Sequence, residues 1–138
     1  MQASVAQSLH LAPATILLVD DESEVLAVAT EMLEEFGYRV LGASSVAAAI
    51  SLAKQKIERI DLLVTDVMMP DMSGPEMAGE ITRIRPGIKV LYLSGRVGHT
   101  VVRGGATVAG AAILHKPFTT TELARKVQEV LDSPMVAA

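Results

Sequence analysis

The sequence contains no cysteine and no tryptophan, and aromatic residues make up only 3% of its 138 residues. The absence of cysteine excludes disulfide bonds, thiolate nucleophiles and zinc sites built from thiolates. The shortage of aromatic side chains argues against a surface on which nucleic-acid bases stack, and the formal net charge of -4 argues against binding to a phosphate backbone. We therefore expect no direct binding of nucleic acid.

Long apolar runs are also absent, because the apolar segments are well short of the roughly 18 to 20 residues that a membrane-spanning helix needs. Residues 1–14 contain no Lys or Arg and no continuous apolar block, so they do not resemble a signal peptide. We expect no membrane insertion and a cytoplasmic location. The chain length suits a single domain. We predict a flexible N-terminal extension over residues 1–14, a folded domain over 15–132 and a C-terminal tail over 133–138.

Short runs rich in Ile, Leu and Val recur along the chain. Most of them are continuous rather than alternating, which is typical of strands that are buried on both faces of a parallel sheet. One run is less uniform and suits an edge strand. The runs are Ile16–Val19, Tyr38–Leu41 (the edge candidate), Leu62–Val64, Val90–Leu93 and Ile113–Leu114.

Helical patterns lie between these runs and carry apolar stripes and capping-box pairs. The stripe of the first helix is Val25, Val28, Met32 and Phe36, and the capping pairs are Ser73 with Glu76 and Thr119 with Glu122. The alternation of five strands with five helices predicts an α/β fold with a parallel sheet and helices on both faces. We expect the fourth helix, around residues 100–109, to be short or frayed, because Gly104 and Gly105 each disfavour a helix by about 1 kcal/mol relative to Ala.

Polar side chains follow four of the five apolar runs. They are Asp20 and Asp21 after the first run, Asp66 after the third, Ser94 after the fourth and Lys116 after the fifth. Because parallel strands end at one edge of a sheet, we expect these groups to converge there. Carboxylates about 5 Å apart repel each other by roughly 3 kcal/mol at an effective dielectric constant near 20. The pattern therefore predicts a hard divalent cation, Mg²⁺ or Mn²⁺, among them.

A lysine and a hydroxyl group opposite such a cation could hold the oxygens of a phosphoryl group. Asp66 stands alone at the end of the central strand and is the candidate acceptor, because carboxylates serve as nucleophiles in phosphoryl transfer. The residues therefore favour phosphoryl transfer to Asp66.

Four segments of the chain together resemble the receiver domain of two-component response regulators. They are Val19-Asp20-Asp21-Glu22, residues 65–74 (TDVMMPDMSG), Ser94-Gly95 and Lys116-Pro117-Phe118, in the order and spacing of the family. The resemblance covers about residues 15–132 and is closest to receivers attached to hybrid histidine kinases. It implies a flavodoxin-like (βα)5 doubly wound fold, with five parallel strands in the order 2-1-3-4-5.

The resemblance also implies the roles of individual residues. Asp66 resembles the phospho-accepting aspartate. Asp21 would bind Mg²⁺ directly and Asp20 largely through water, with the backbone carbonyl of Met68 as a further ligand. Lys116, followed by a cis peptide bond, would pair with the phosphoryl oxygens.

Two further positions concern switching. Ser94 would turn inward to bond the phosphoryl group. Family members usually carry Tyr or Phe three residues before the lysine, where this chain has Ile113, whose β-branched side chain is stiff at χ1. The usual aromatic switch is therefore replaced here by an atypical residue.

The implied partner is a sensor histidine kinase or a histidine phosphotransfer protein, and a weak homodimer is a further expectation. The domain would be a regulatory phospho-acceptor rather than an enzyme, although it would assist its own phosphorylation and dephosphorylation. It could be a stand-alone protein or a receiver excised from a hybrid histidine kinase.

Three alternatives share either the aspartyl-phosphate chemistry or the fold. A phosphatase of the haloacid dehalogenase type needs a second aspartate where this chain has Met68. A flavin carrier would have to bind a permanent phosphate beside Asp20, Asp21 and Glu22, which would repel it. A binding module that has lost phosphorylation is disfavoured by the full set of acidic residues and Lys116.

Overall fold

The computed structural model describes residues 13–55, 59–95, 102–103, 106–107 and 111–133. Within them, seven strands and four helices follow one another along the chain. The strands are β1 (Thr15–Val19), β2 (Arg39–Ala43), β3 (Leu62–Asp66), β4 (Lys89–Ser94), β5 (Val102–Arg103), β6 (Ala106–Thr107) and β7 (Ala112–His115). The helices are α1 (Ser23–Glu35), α2 (Val46–Lys54), α3 (Gly74–Ile84) and α4 (Thr120–Asp132).

Five of the strands form one parallel sheet in the order β2-β1-β3-β4-β7. Because β7 is the last strand of this sheet along the chain, the order is the predicted 2-1-3-4-5, and the flavodoxin-like fold is confirmed. The continuous apolar runs predicted the strands correctly, since β1 and β3 are buried along their whole length. The less uniform run around residues 38–41 forms the edge strand β2, as expected.

The core lies on both faces of the sheet. On one face, alternate residues of β1 and β3 such as Ile16 and Leu62 pack with Leu33 of α1 and Leu123 of α4. On the other face, their neighbours along the strands pack with residues of α2 and α3, including Met77. Helices α1 and α4 therefore cover one face of the sheet, and α2 and α3 cover the other.

The predicted capping boxes are both present and fix where two helices begin. The Ser73 side chain accepts from the Glu76 backbone while the Glu76 carboxylate accepts from Ser73, and Thr119 and Glu122 make the same exchange. These exchanges satisfy N–H groups that have no partner within the helix. They fix the starts of α3 and α4, which follow the loops after β3 and β7.

The prediction of a helix around residues 100–109 is wrong for the residues that the structure describes there. Val102–Arg103 and Ala106–Thr107 form an antiparallel pair of short strands, with Arg103 opposite Ala106. Two glycines separate these strands in the sequence. A Gly-Gly pair between two strands favours a tight hairpin turn, and glycine disfavours a helix. The rest of the predicted helix lies outside the described residues, as do residues 1–12 and 134–138 of the predicted extension and tail.

The apolar stripe predicted on the first helix is not its core face. Ala29 and Leu33 are the buried residues of α1, whereas Val28 and Phe36 are 52% and 46% exposed. The core face of α1 therefore lies to one side of the stripe. Part of the apolar surface of α1 is left facing outward.

Gly74, the first residue of α3, holds the loop after β3 against the end of that strand. A Cβ atom at this position would lie 2.2 Å from the backbone oxygen of Asp66, and backbone atoms have little freedom to move away. We expect Gly74→Ala to lower the free energy of unfolding by about 1–3 kcal/mol, the usual cost of overpacking. Urea denaturation followed by circular dichroism measures this loss.

Gly42→Ala is the matched control for that substitution. Its added Cβ would lie 3.7 Å from Leu26 Cδ1, which is ordinary van der Waals contact. We expect its urea midpoint to equal or exceed that of the parent chain. Equal midpoints for the two alanine variants would contradict the proposed constraint at Gly74.

No described helix is both long enough and apolar enough to cross a membrane.

Candidate functional site

Polar side chains gather where the central strands end. Asp20 directly follows β1, Asp66 and Ser94 are the last residues of β3 and β4, and Lys116 directly follows β7. Asp66, Ser94 and Lys116 line one cleft with a volume of about 860 Å³. The Lys116 backbone N–H donates to the Ser94 carbonyl oxygen at 2.7 Å, which ties the end of β7 to the end of β4. Parallel pairing of the strands thus brings together residues that are distant in sequence.

Three carboxyl groups form an acidic cluster beside this cleft. Asp20, Asp21 and Asp66 each offer a carboxylate oxygen within 4.8 Å of the others. Asp20 is fully buried, Asp66 is almost fully buried and Asp21 is exposed. Because oxygen ligands suit hard divalent cations, the arrangement is able to hold such an ion with one side open to solvent.

Lys116 supplies the positive charge of the site. Its Nζ atom lies 3.1 Å from Asp20 Oδ2, 3.4 Å from Asp66 Oδ2 and 3.7 Å from Glu22 Oε1. Burial alone would lower the pKa of the Lys116 ammonium group, but the hydrogen bonds and charges of Asp20 and Asp66 together raise that pKa above its usual value. The lysine is therefore charged, and within the described ranges three carboxylates compete for it.

The Asp66 carboxyl group has a raised pKa. Burial is the main cause, and the charge of Asp20 adds to it. Lys116 and the backbone N–H of Met68 act in the opposite direction, since both stabilise the ionised carboxylate. Ionised Asp66 is thus less favourable in the folded chain than in the unfolded chain, and a bound cation would relieve this.

The backbone around Asp20 holds its side chain in place. Its Oδ1 atom accepts from the Glu22 backbone N–H at 2.9 Å, while Oδ2 faces Lys116. Both carboxylate oxygens of this buried residue therefore have partners. Asp20 is fixed in orientation before any ion binds.

Comparison with known proteins identifies the family. A family model described as the response regulator receiver domain matches residues 16–128. The chain belongs to this family. Phospho-acceptor function is consistent with this membership, and the dehalogenase-type alternative is not favoured.

The relatives of this receiver domain include larger proteins, of which only a part matches this chain, and a protein of similar length. The sensor kinase CckA of Brucella abortus is 34% identical over 119 residues, which are 86% of this chain and 13% of the kinase. The response regulator receiver protein CpdR of the same organism is 29% identical over 116 residues, which are 84% of this chain and 95% of that protein. The chain spans 50% of a third relative, the probable transcriptional regulatory protein TcrX of Mycobacterium tuberculosis.

Solved structures show the same fold. A response regulator receiver protein from Sinorhizobium medicae WSM419 superposes with a TM-score of 0.75 at 32% identity, covering 90% of this chain and 98% of the other. The receiver domain from the hybrid histidine kinase CckA superposes with a TM-score of 0.73 at 31% identity, covering 86% and 100%. The expected similarity to receivers of hybrid kinases is therefore confirmed.

The remaining predicted residues of the receiver domain lie in and around the cleft. Ser94 and Met68 both line the cleft, where Ser94 is buried and Met68 is 65% exposed. Ile113 is half-buried on β7, paired with Tyr92 of β4, and packs against the core rather than lining the cleft. The peptide bond before Pro117 is cis, as the family resemblance implied.

Two features of the site were not predicted as functional from the sequence. The sequence analysis named Glu22 in a family motif and as a charge that would repel a permanent phosphate but gave it no role at the site, yet its carboxylate lies 3.7 Å from Lys116 Nζ. The Met68 backbone N–H faces the Asp66 carboxyl group, where the sequence analysis considered only the carbonyl. The acidic run Asp20-Asp21-Glu22 was a sequence signal for the contact of Glu22 with Lys116. The Met68 N–H had no such signal, because every residue except proline has a backbone N–H.

The raised pKa of Asp66 predicts a pH-dependent effect on stability. An acid whose pKa is raised on folding binds its proton more tightly in the folded chain, so protonation stabilises the fold at low pH. This contribution to stability is lost as the pH rises from 3.8, the ordinary pKa of the group, through the raised pKa of the folded chain. We expect Asp66→Asn to raise the melting temperature of the protein at pH 7 in EDTA, because the amide carries no charge. The gain should shrink as pH falls towards 3.8.

Calorimetry of the parent chain and the Asp66→Asn variant across this pH range measures the gain. Asp71→Asn is the control, since Asp71 is exposed in the loop after β3. A gain from Asp66→Asn that is constant with pH would contradict the electrostatic explanation.

Proposed function

We propose that this receiver domain accepts a phosphoryl group on Asp66 from a phosphohistidine of a partner protein, in a reaction that depends on Mg²⁺ or Mn²⁺. The observation that carries the proposal is the position of Asp66 Oδ2, 3.4 Å from the Lys116 ammonium group in a cleft that Ser94 also lines. A nucleophile, a counter-charge and a hydroxyl group thus face one space. These are the groups that phosphoryl transfer requires.

The charge of the site supports a cation there. Within the described part of the chain, the one ammonium group of Lys116 pairs with three carboxylates, those of Asp20, Glu22 and Asp66. Asp21 adds a fourth carboxylate, which lies within 4.8 Å of those of Asp20 and Asp66. We propose Asp20, Asp21, Asp66 and the Met68 backbone carbonyl as the groups that hold the ion, Asp20 largely through water. When bound, Mg²⁺ or Mn²⁺ would supply positive charge that neutralises the phosphoryl oxygens.

The chemistry assigned to the side chains is direct displacement at phosphorus. An Asp66 oxygen attacks the phosphorus, the bond from phosphorus to the donor nitrogen breaks, and its electron pair stays on the donor imidazole. Lys116 pairs with the phosphoryl oxygens and Ser94 donates a hydrogen bond to them. The product is an aspartyl phosphate, which water later hydrolyses to inorganic phosphate, or which passes its phosphoryl group to a histidine of a phosphotransfer protein.

The proposed partner is a sensor histidine kinase or a histidine phosphotransfer protein. Part of the wall of the cleft that Asp66 lines is apolar, and this part includes Val25, Val28 and Met32 of α1 and Phe118. A donor protein that brings its histidine to Asp66 would cover this wall and bury its apolar area. The domain bounds 15–132, a cytoplasmic location and a weak homodimer stay predictions.

The domain is proposed to assist its own phosphorylation and dephosphorylation without turning over other substrates. A phosphatase of the haloacid dehalogenase type would need an acid/base carboxylate two residues after Asp66. That position is Met68, whose apolar side chain extends towards solvent. The site therefore lacks the second aspartate of that mechanism.

Incubation with acetyl phosphate or phosphoramidate, followed by intact mass spectrometry, tests the proposal. We expect the mass of one phosphoryl group per chain to appear only with Mg²⁺ or Mn²⁺, to be absent in EDTA, and to disappear in hydroxylamine, which cleaves acyl phosphates. No gain from either donor would overturn the proposal. Repeated turnover of p-nitrophenyl phosphate would favour the phosphatase instead.

A further inference from the structure

Glu22 contacts the proposed phosphorylation site through its carboxylate group. Its side chain is 64% exposed, lines the same cleft as Asp66 and Ser94, and has its Oε1 atom 3.7 Å from Lys116 Nζ. Glu22 is also the residue that precedes α1, but its carboxylate makes no hydrogen bond that caps the helix. The carboxylate therefore remains available to act at the mouth of the cleft.

Asp20 holds the backbone of Glu22 beside the site. Its backbone N–H donates to Asp20 Oδ1, and Asp20 is itself fully buried and bonded to Lys116. The same lysine thus links Glu22 to the reacting group, because Lys116 also lies 3.4 Å from Asp66 Oδ2. Any anion that enters the cleft to reach Asp66 meets the charge of Glu22 and competes with it for Lys116.

We infer that Glu22 is a specificity-determining residue that disfavours small phosphodonors of high negative charge, relative to donors of lower charge. The inference rests on the proposed function of Asp66. A phosphohistidine on a protein gains binding energy from its own contacts, so the penalty falls mainly on free anions. Glu22 would thereby reduce phosphorylation of the domain by small metabolic phosphodonors.

Two donors of different charge allow a direct test. At neutral pH acetyl phosphate is mainly a dianion, whereas phosphoramidate is mainly a monoanion with a protonated nitrogen. One extra unit charge at about 5–8 Å in a water-like dielectric corresponds to roughly a two- to fourfold difference in rate. We expect Glu22→Gln to raise the ratio of the acetyl phosphate rate to the phosphoramidate rate by about this factor, and less at high ionic strength.

The measurement is the initial rate of phosphoryl incorporation at saturating Mg²⁺, followed by intact mass spectrometry. It is repeated at salt concentrations from roughly 0.02 to 0.4 M, because screening of charges changes strongly over this range. Glu31→Gln is the matched control, because it removes the same charge from an exposed position on α1 that does not line the cleft. We expect its rate ratio to equal that of the parent chain. Calorimetric titration of Mg²⁺ fixes the saturating concentration for each variant.

The outcomes separate this inference from the function on which it rests. If the parent chain is labelled by both donors and Glu22→Gln leaves the rate ratio unchanged, the role of Glu22 is overturned while the function of Asp66 stands. An equal rise in the ratio for Glu31→Gln would also overturn it, because the effect would then follow net charge alone. Failure of the parent chain to accept phosphate from either donor would overturn the proposed function itself.

Discussion

Phosphoryl incorporation is expected to fall by more than about a thousandfold in the Asp66→Asn variant, because loss of the proposed nucleophile removes the reaction path itself. The amide oxygen is a poor nucleophile, and the amide also removes one of the three carboxylates of the acidic cluster. Intact mass spectrometry after incubation with acetyl phosphate and Mg²⁺ measures the loss. The variant should remain folded, since its side chain keeps the size of the one it replaces.

Asp71→Asn is the control for this experiment. It makes the same chemical change in the loop that follows Asp66, at an exposed position. We expect it to be labelled at the rate of the parent chain. Labelling of Asp66→Asn at an undiminished rate would remove Asp66 from the mechanism.

Lys116→Met is expected to produce the second large effect, on both stability and phosphorylation. Lys116 is the counter-charge of Asp20, which is fully buried, and of Asp66, which is almost fully buried. Removal of one partner from a buried ion pair leaves an uncompensated charge and costs about 3–5 kcal/mol. We expect this loss in the free energy of unfolding at pH 7 in EDTA, with part of it recovered in Mg²⁺.

Urea denaturation of Lys116→Met with and without Mg²⁺ measures the stability, and acetyl phosphate labelling measures the reaction. Lys126→Met is the control, since Lys126 pairs only with the exposed Glu129 among the described residues and such pairs contribute roughly 0–1 kcal/mol. Equal stability losses for the two methionine variants would contradict the role of Lys116. So would full labelling of Lys116→Met.

Much of the sheet could be predicted from the sequence because its signals are local and strong. Continuous apolar runs identify strands that are buried on both faces, and a residue such as Asp66 stands out directly after one of them. Chain direction then places Asp66, Ser94 and Lys116 at one edge, since every strand of a parallel sheet ends on the same side. The topology of the sheet is therefore enough to predict that these groups lie close together, without knowledge of side-chain packing.

Other features could not be predicted because they depend on tertiary packing. The residues around Gly104 and Gly105 were assigned to a helix by the alternation of elements, although their local preference is for a turn. The stripe containing Val28 and Phe36 has helical spacing, but spacing alone does not say which part of an apolar surface meets the sheet. The contact between Glu22 and Lys116 joins two loops, so it becomes visible only when both strands are in register.

Chemical mapping of the phosphorylated residue tests the central claim most directly. Borohydride reduces an aspartyl phosphate to homoserine, which tandem mass spectrometry locates in a peptide. After treatment with acetyl phosphate and Mg²⁺, the account predicts homoserine in place of Asp66 and at no other acidic residue, with none in samples that contain EDTA. Homoserine at Asp20, Asp21 or Asp71, with Asp66 unchanged, would contradict it.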